Sequence, residues 1–219
     1  MLDNEQTRKD RERMVDWQIG RRGILDPRVL SAMRSVPRHL FVTDDLQNEA
    51  YSDHPLPIGY GQTISQPYIV ALMTLLLDVK PVDRVLDVGS GSGYQAAVLA
   101  KLSPYVTTIE FVPELAELSR KNLARSGVTG VEVVQGDGSL GYPPNAPYDV
   151  ILVAACAPVA PPPLLEQLSP NGRMVIPVEF NGEQFLEVWR VDANGEDAEY
   201  TRDIPVAFVP LRGQWGLQK

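Results

Sequence analysis

Two short stretches carry residue types and spacings suited to chemistry. The first is Val-Leu-Asp-Val-Gly-Ser-Gly-Ser-Gly-Tyr-Gln, residues 85–95. Glycines directly after an apolar run let a main chain pass close to a ligand, and a helix opening behind them offers unpaired N–H groups. The second stretch is Tyr-Gly-Gln-Thr-Ile-Ser-Gln-Pro-Tyr-Ile-Val, residues 60–70. It sets Thr63 and Ser65 just ahead of Pro67 at an expected helix start. Ser65 reads two ways there. It suits a helix N-cap, and it suits a site for an anion, because a helix N-terminus attracts negative charge.

The glycine stretch admits two cofactors. The dinucleotide spacing G-x-G-x-x-G/A can be laid on Gly91, Gly93 and Ala96, which keeps a nicotinamide nucleotide in play. Other details favour S-adenosylmethionine. Asp87 lies two residues before Gly89 and the Ser90, Gly91 and Gly93 that follow, where its carboxylate suits an ammonium and would repel a pyrophosphate. Glu110 ends the next apolar run and can accept from both hydroxyls of a ribose, a feature that dinucleotide sites share. Gly136-Asp137-Gly138 follows a third run, where Asp137 can accept from an adenine amino group. Ligands of open α/β sheets bind beyond the carboxyl ends of the strands, where all these residues fall.

The elements that must hold these residues are legible as a rhythm. Residues 5–22 read as a helix. Asp26-Pro27 caps a second helix that ends near Val36-Pro37, and residues 51–62 read as a Pro- and Gly-rich loop. A helix follows from Ser65-Gln66-Pro67 to about Asp78. From residue 84 strands and helices alternate: strands at 84–88, 106–110, 131–134, 149–154 and 173–178, helices at 94–102, 113–126 and 164–168. That alternation predicts a parallel sheet covered on both faces. The end differs. Residues 184–191 and 200–209 form two apolar or alternating runs around Asn194-Gly195, a hairpin signal. The expectation is a doubly wound, mostly parallel seven-stranded α/β sheet ending in an antiparallel hairpin. Residues 1–80 form a helical extension and lid segment, and residues 81–219 the cofactor-binding core.

Composition excludes several functions. The net charge of −8 over 219 residues argues against a nucleic-acid binder. Asn145-Ala146-Pro147-Tyr148 loosely follows the N-P-P-Y pattern of amino-methyltransferases, but it precedes its strand where that pattern follows one. Cys156 is the sole cysteine, so no disulfide forms within the chain and a reducing, cytoplasmic setting fits. Cys156 reads as a small buried residue rather than a nucleophile. His39 and His54 have no ligand spacing around them, so no metal is expected. His54 reads as a loop histidine, with general base as the alternative. No run approaches the ~20 apolar residues of a membrane helix.

The order of motifs resembles class I S-adenosylmethionine-dependent methyltransferases. Within them, residues 10–212 resemble the protein-L-isoaspartate O-methyltransferases. His-Pro-Leu-Pro-Ile-Gly-Tyr-Gly-Gln-Thr-Ile-Ser-Gln-Pro at 54–67 carries the specific likeness. Val-Pro-Arg-His-Leu-Phe-Val at 36–42, residues 148–158, Val-Ile-Pro-Val at 175–178 and Phe-Val-Pro-Leu at 208–211 support it. Ala154 and Glu179 depart from it, where threonine and glycine are frequent. The resemblance implies methyl transfer to the free α-carboxylate of L-isoaspartyl residues in damaged proteins and peptides, which starts their repair through a succinimide. It implies Ser65 as the residue that orients the acceptor carboxylate, and Gln62, Thr63, Ile64 and Ser65 as lining the cofactor. Gly138 and Gln214 join them, and Val206–Leu211 would flank the peptide. A monomer is expected. Two other readings remain open: a carboxyl methyltransferase acting on a peptide natural product or small carboxylate, and a cofactor-binding adaptor without turnover.

Overall fold

Side chains of the central strands alternate between two buried layers. Val85, Val150, Leu152 and Val175 face one hydrophobic cluster, and Leu86, Val88, Ile151, Val153 and Met174 face the other. Near-continuous apolar strands of this kind need cover on both faces, which makes them interior strands of a parallel sheet. The computed structural model describes residues 3–217.

The elements run in chain order as follows. Helices α1 (Glu5–Arg13) and α2 (Pro27–Ser35) precede a short hairpin, β1 (Leu56–Gly59) and β2 (Gln62–Ile64). Helix α3 (Pro67–Leu77) leads to β3 (Arg84–Val88), α4 (Tyr94–Leu99), β4 (Tyr105–Glu110), α5 (Pro113–Arg125) and β5 (Val131–Gln135). Then come β6 (Tyr148–Val153), α6 (Pro162–Leu165), β7 (Leu168–Phe180), β8 (Glu183–Val191) and β9 (Ala198–Val206). The main sheet has seven strands in the order β5-β4-β3-β6-β7-β8-β9. Pairs are parallel as far as β7, and β7–β8 and β8–β9 are antiparallel. Strand order reverses between β3 and β6, so a crevice opens at the carboxyl ends of those two strands.

The N-terminal helices share the larger cluster with the sheet. Met14, Val15, Ile19, Met33 and Phe41 pack with Leu77, Leu99 and Val150. The helix expected over 5–22 is helical throughout but not uniform. It begins on an Asn4–Thr7 capping box, widens into a π turn over Met14–Ile19, tightens over Gly20–Arg22 and stops at Gly23. The wide turn brings Met14, Val15 and Ile19 inward together, all fully buried.

Three features depart from the expected elements. The loop expected over 51–62 holds the β1–β2 hairpin, closed by Tyr60 and Gly61 at φ +54° and +70°. Pro57 and Gly59 hide an alternation in which Leu56, Ile58 and Ile64 are buried. The strand expected to end at 178 continues to Phe180 and turns into β8 through Asn181-Gly182, both with positive φ, so two hairpins close the sheet rather than one. The helix expected over 164–168 instead starts at Pro162, and Leu168 already pairs with Tyr148 as β7 begins. Among the described residues no helix is long and apolar enough to cross a membrane.

Candidate active site

The crevice at the switch point is a cleft of about 840 Å³, its open mouth included. The loop after β3 forms its floor. Gly93 ends that loop as the N-cap of α4 at φ +89°, and a Cβ there would lie 2.8 Å from Ser119 Oγ, so both backbone and space demand glycine. The Glu110 carboxylate at the end of β4 holds the same loop. Its Oε2 accepts the Gly91 N–H at 2.8 Å and its Oε1 accepts the Val112 N–H at 3.0 Å. Each oxygen keeps a lone pair for a ligand hydroxyl.

Asp87 lies beneath the loop and is fully buried. Its Oδ2 accepts from Thr108 Oγ at 2.6 Å, and its Oδ1 is buried without a partner. Burial pushes the Asp87 carboxyl up to about 7; the Thr108 hydrogen bond opposes the rise and the nearby Glu110 charge adds to it. A buried carboxylate with an unpaired oxygen, below a glycine cradle, fits a cationic ligand above it.

Of the residues singled out in the sequence, Gln62, Thr63, Ile64, Ser65, Gly89, Ser90, Gly91, Glu110 and Gly138 line this cleft. Asp87, Gly93, Asp137 and Gln214 do not. Asp87 and Gly93 support the floor from below. Asp137 differs from expectation more. Its Oδ1 accepts from the Ser139 N–H at 2.9 Å and the Ser139 hydroxyl at 2.6 Å, and its Oδ2 accepts the Gln214 N–H at 2.8 Å. Oδ1 thus takes two protein donors and Oδ2 one, with a lone pair to spare, and Asp137 meets the Gln214 main chain outside the cleft lining.

Ser65 is not the cap of α3. That position is Gln66, which makes no side-chain cap bond, and Pro67 opens the helix without an N–H. The cap half of the double role expected for Ser65 is therefore absent. A second cleft of about 1310 Å³, counted with its open mouth, lies beside the first. Thr63, Ser65, Ala154 and Val209 border both. Pro205–Phe208, Gln66 and Ile69 complete the second cleft with Pro55, and no charged residue lines it. The hairpin β1–β2 carries Thr63 and Ser65 to this junction.

Several lining residues escaped the sequence reading. Phe111 and Val112 follow Glu110 directly, and Tyr94 and Gln95 follow the glycine loop, so adjacency to a motif was the available signal. Val70 and Met73 reach the cleft from α3, and Arg212 from the C-terminal segment, with no local signal. His54 lines neither cleft. Its Nδ1 lies 3.0 Å from Pro55 O and its Nε2 3.7 Å from Glu49, as a surface loop histidine does. Cys156 is buried, and burial pushes its thiol up to about 11, which removes the thiolate a nucleophile needs.

The family model described as protein-L-isoaspartate(D-aspartate) O-methyltransferase matches residues 9–216. The protein-L-isoaspartate O-methyltransferase of Methanoculleus marisnigri is 54% identical over 220 residues, covering 99% of this chain and 98% of that one. That of Aeropyrum pernix is 51% identical, covering 100% and 85%. Among solved structures, a protein-L-isoaspartate O-methyltransferase superposes with TM-score 0.85 at 26% identity, over 94% of this chain and 67% of that one. A Plasmodium falciparum structure assigned to the same activity, in complex with S-adenosyl-L-homocysteine, gives TM-score 0.81 at 29% identity over 92% and 98%.

Proposed function

The chain belongs to the protein-L-isoaspartate(D-aspartate) O-methyltransferase family, and from that premise we infer how its two clefts divide the work. The enzyme methylates the free α-carboxylate of L-isoaspartyl residues in proteins and peptides, with S-adenosylmethionine as methyl donor. The ester then yields to the neighbouring backbone nitrogen, re-forms the succinimide and releases methanol.

When bound, S-adenosylmethionine supplies a methyl group made electrophilic by a sulfonium. The larger share of the chemistry left to the protein is placement. An acceptor carboxylate with a pKa of about 4 is already ionised at neutral pH, so no general base is required. It has to be aligned and partly dried, and effective alignment alone can remove much of a barrier. The observation that supports this reading is the junction of the clefts. Thr63, Ser65, Ala154 and Val209 border both, and the acceptor side carries no charge to compete for the carboxylate.

Ser65 is the catalytic residue in this reading, donating its hydroxyl to the acceptor carboxylate. The main-chain N–H groups from Thr63 to Ser65 hold the substrate. Gln62, Thr63, Ile64, Gly89, Ser90, Gly91 and Gly138 line the cofactor, Glu110 takes its ribose hydroxyls, and the Asp87 charge faces its cationic end. Gly93, Asp137 and Gln214 act by shaping the walls. Residues 1–80 serve as extension and lid on the 81–219 core. The protein works as a cytoplasmic monomer that does not bind nucleic acid.

The test is transfer of labelled methyl from S-adenosylmethionine to an isoaspartyl peptide and to its aspartyl isomer. Base-labile label on the first alone supports the reading. Label on neither, with cofactor bound, would identify an adaptor, and label on small carboxylates instead would identify a different acceptor.

A further inference from the structure

Beyond Val206, the last residue of β9, the chain passes along the acceptor cleft toward Cys156. Its far end is tied to Cys156 by the main chain. The Cys156 N–H donates to Val209 O at 2.8 Å, and the Leu211 N–H donates to Cys156 O at 2.7 Å. Its near end has no strand to pair with, because Gln184 on β8 is already opposite Val206. A side chain takes the place of the strand. Gln184 Oε1 accepts the Phe208 N–H at 2.6 Å, and Gln184 Nε2 donates to Phe208 O at 3.2 Å. A primary amide offers a donor and an acceptor as a peptide unit does. Gln184 thereby pairs with Phe208 as a further strand residue would.

We propose that Gln184 is a positioning residue for the protein acceptor, its amide holding Phe208, and with it Ala207, at a fixed distance from Ser65. The proposal rests on the reading of the second cleft as the isoaspartyl site. Phe208 is doubly anchored, by this amide and by its ring, which packs against the main core. Ala207 is exposed in the cleft, and Val209 stands at the junction with the cofactor side. Loss of the amide frees both polar groups of Phe208 to seek water, and the wall facing Ser65 loses its register. The Cys156 tether, on the cofactor side of Phe208, is untouched. The defect therefore falls on the acceptor and spares the cofactor.

Two variants separate this from general loosening. Gln184→Met keeps the length and removes both hydrogen bonds. Gln184→Glu keeps an acceptor for the Phe208 N–H and removes the donor to its carbonyl. The measurements are KM and kcat for a short isoaspartyl peptide, S-adenosylhomocysteine affinity by calorimetry, and the melting temperature. Gln184→Met is expected to raise peptide KM about tenfold, with kcat and S-adenosylhomocysteine affinity within about twofold. Gln184→Glu is expected to give a smaller rise, and it carries the test alone if Gln184→Met does not fold. Unchanged peptide KM in a folded variant overturns the proposal, as does an equal loss of S-adenosylhomocysteine affinity. No transfer to the peptide by the wild-type enzyme would overturn the functional reading itself, a distinct result.

Discussion

Thr108 donates its hydroxyl to Asp87 at 2.6 Å and lies 2.6 Å from the hydroxyl of Ser90. A hydroxyl carries one proton. While Asp87 is ionised, that proton belongs to Asp87, and Ser90 must donate to Thr108. The buried charge is thus coupled through Thr108 to the glycine loop that floors the cofactor cleft.

This coupling predicts a proton released on cofactor binding. Burial holds the Asp87 carboxyl up at about 7, so near neutral pH the free enzyme carries a substantial fraction of protonated Asp87. A cationic ligand favours the ionised form and displaces that proton. Calorimetry at pH 7 in buffers of different ionisation enthalpy should show the release, and Asp87→Asn should abolish it. The sign for stability follows from the same shift. The folded state binds the proton more tightly than the unfolded state, so this group makes the free enzyme less stable as pH rises from about 4 to about 7. Asp87→Asn should flatten that slope. Binding without proton release would show that Asp87 is ionised in the free enzyme.

Ser65→Ala tests acceptor alignment with a cleaner background than a cap residue would allow. Because Gln66 is the N-cap and makes no side-chain cap bond, removing the Ser65 hydroxyl has no helix cap to break. The melting temperature and S-adenosylhomocysteine affinity should stay near wild type, while kcat falls about a hundredfold, the scale of losing one preorganised donor. Turnover near wild type would remove Ser65 from the chemistry.

What the sequence made legible follows from how local each signal was. Strand β3 was readable to the residue, because five residues ending in glycines announce both a buried strand and its end. The β1–β2 hairpin was not. Its strands are four and three residues long, and Pro57, Gly59 and Gly61 signal a loop more strongly than Leu56, Ile58 and Ile64 signal a strand. Ser65 suits a cap by its type and its place before Pro67, yet the cap falls one residue later, at Gln66, as helix ends commonly shift by a residue. The junction of two clefts at Ser65 is built from distant segments that no local spacing encodes. Asp137 and Gln214 are 77 residues apart, and no spacing rule predicts that one accepts the other's main-chain N–H.

Glu110 has a heavier role than a ligand contact. It ties Gly91 to Val112 through the two oxygens of one carboxylate. Glu110→Ala should weaken S-adenosylhomocysteine binding by about 2–3 kcal/mol, because buried N–H groups and ligand hydroxyls lose an acceptor together. Glu110→Gln should lose less, since its carbonyl still serves one N–H. Calorimetry and melting temperature together check this: the alanine variant should show both losses. Unchanged affinity in the alanine variant would move the ribose elsewhere.

Asp137 anchors the C-terminal segment, and the anchor can be broken from either side. Gly213 has φ +121°, and a Cβ there would collide with the Asp137 carboxylate. The Gln214 N–H bonds to Asp137 Oδ2, and the Trp215 N–H bonds at 3.1 Å to Ser139 Oγ, itself donated to Asp137 Oδ1. Gly213→Ala and Asp137→Ala should therefore release the same segment, whose preceding residues Leu211 and Arg212 line the cofactor cleft. Amide exchange over residues 213–217 should rise in both variants, and S-adenosylhomocysteine affinity should fall with it. The two changes share one set of bonds, so the double variant should cost little more than the worse single one. Strictly additive losses would mean that Asp137 also touches the ligand directly, in the adenine role, through the lone pair left on Oδ2.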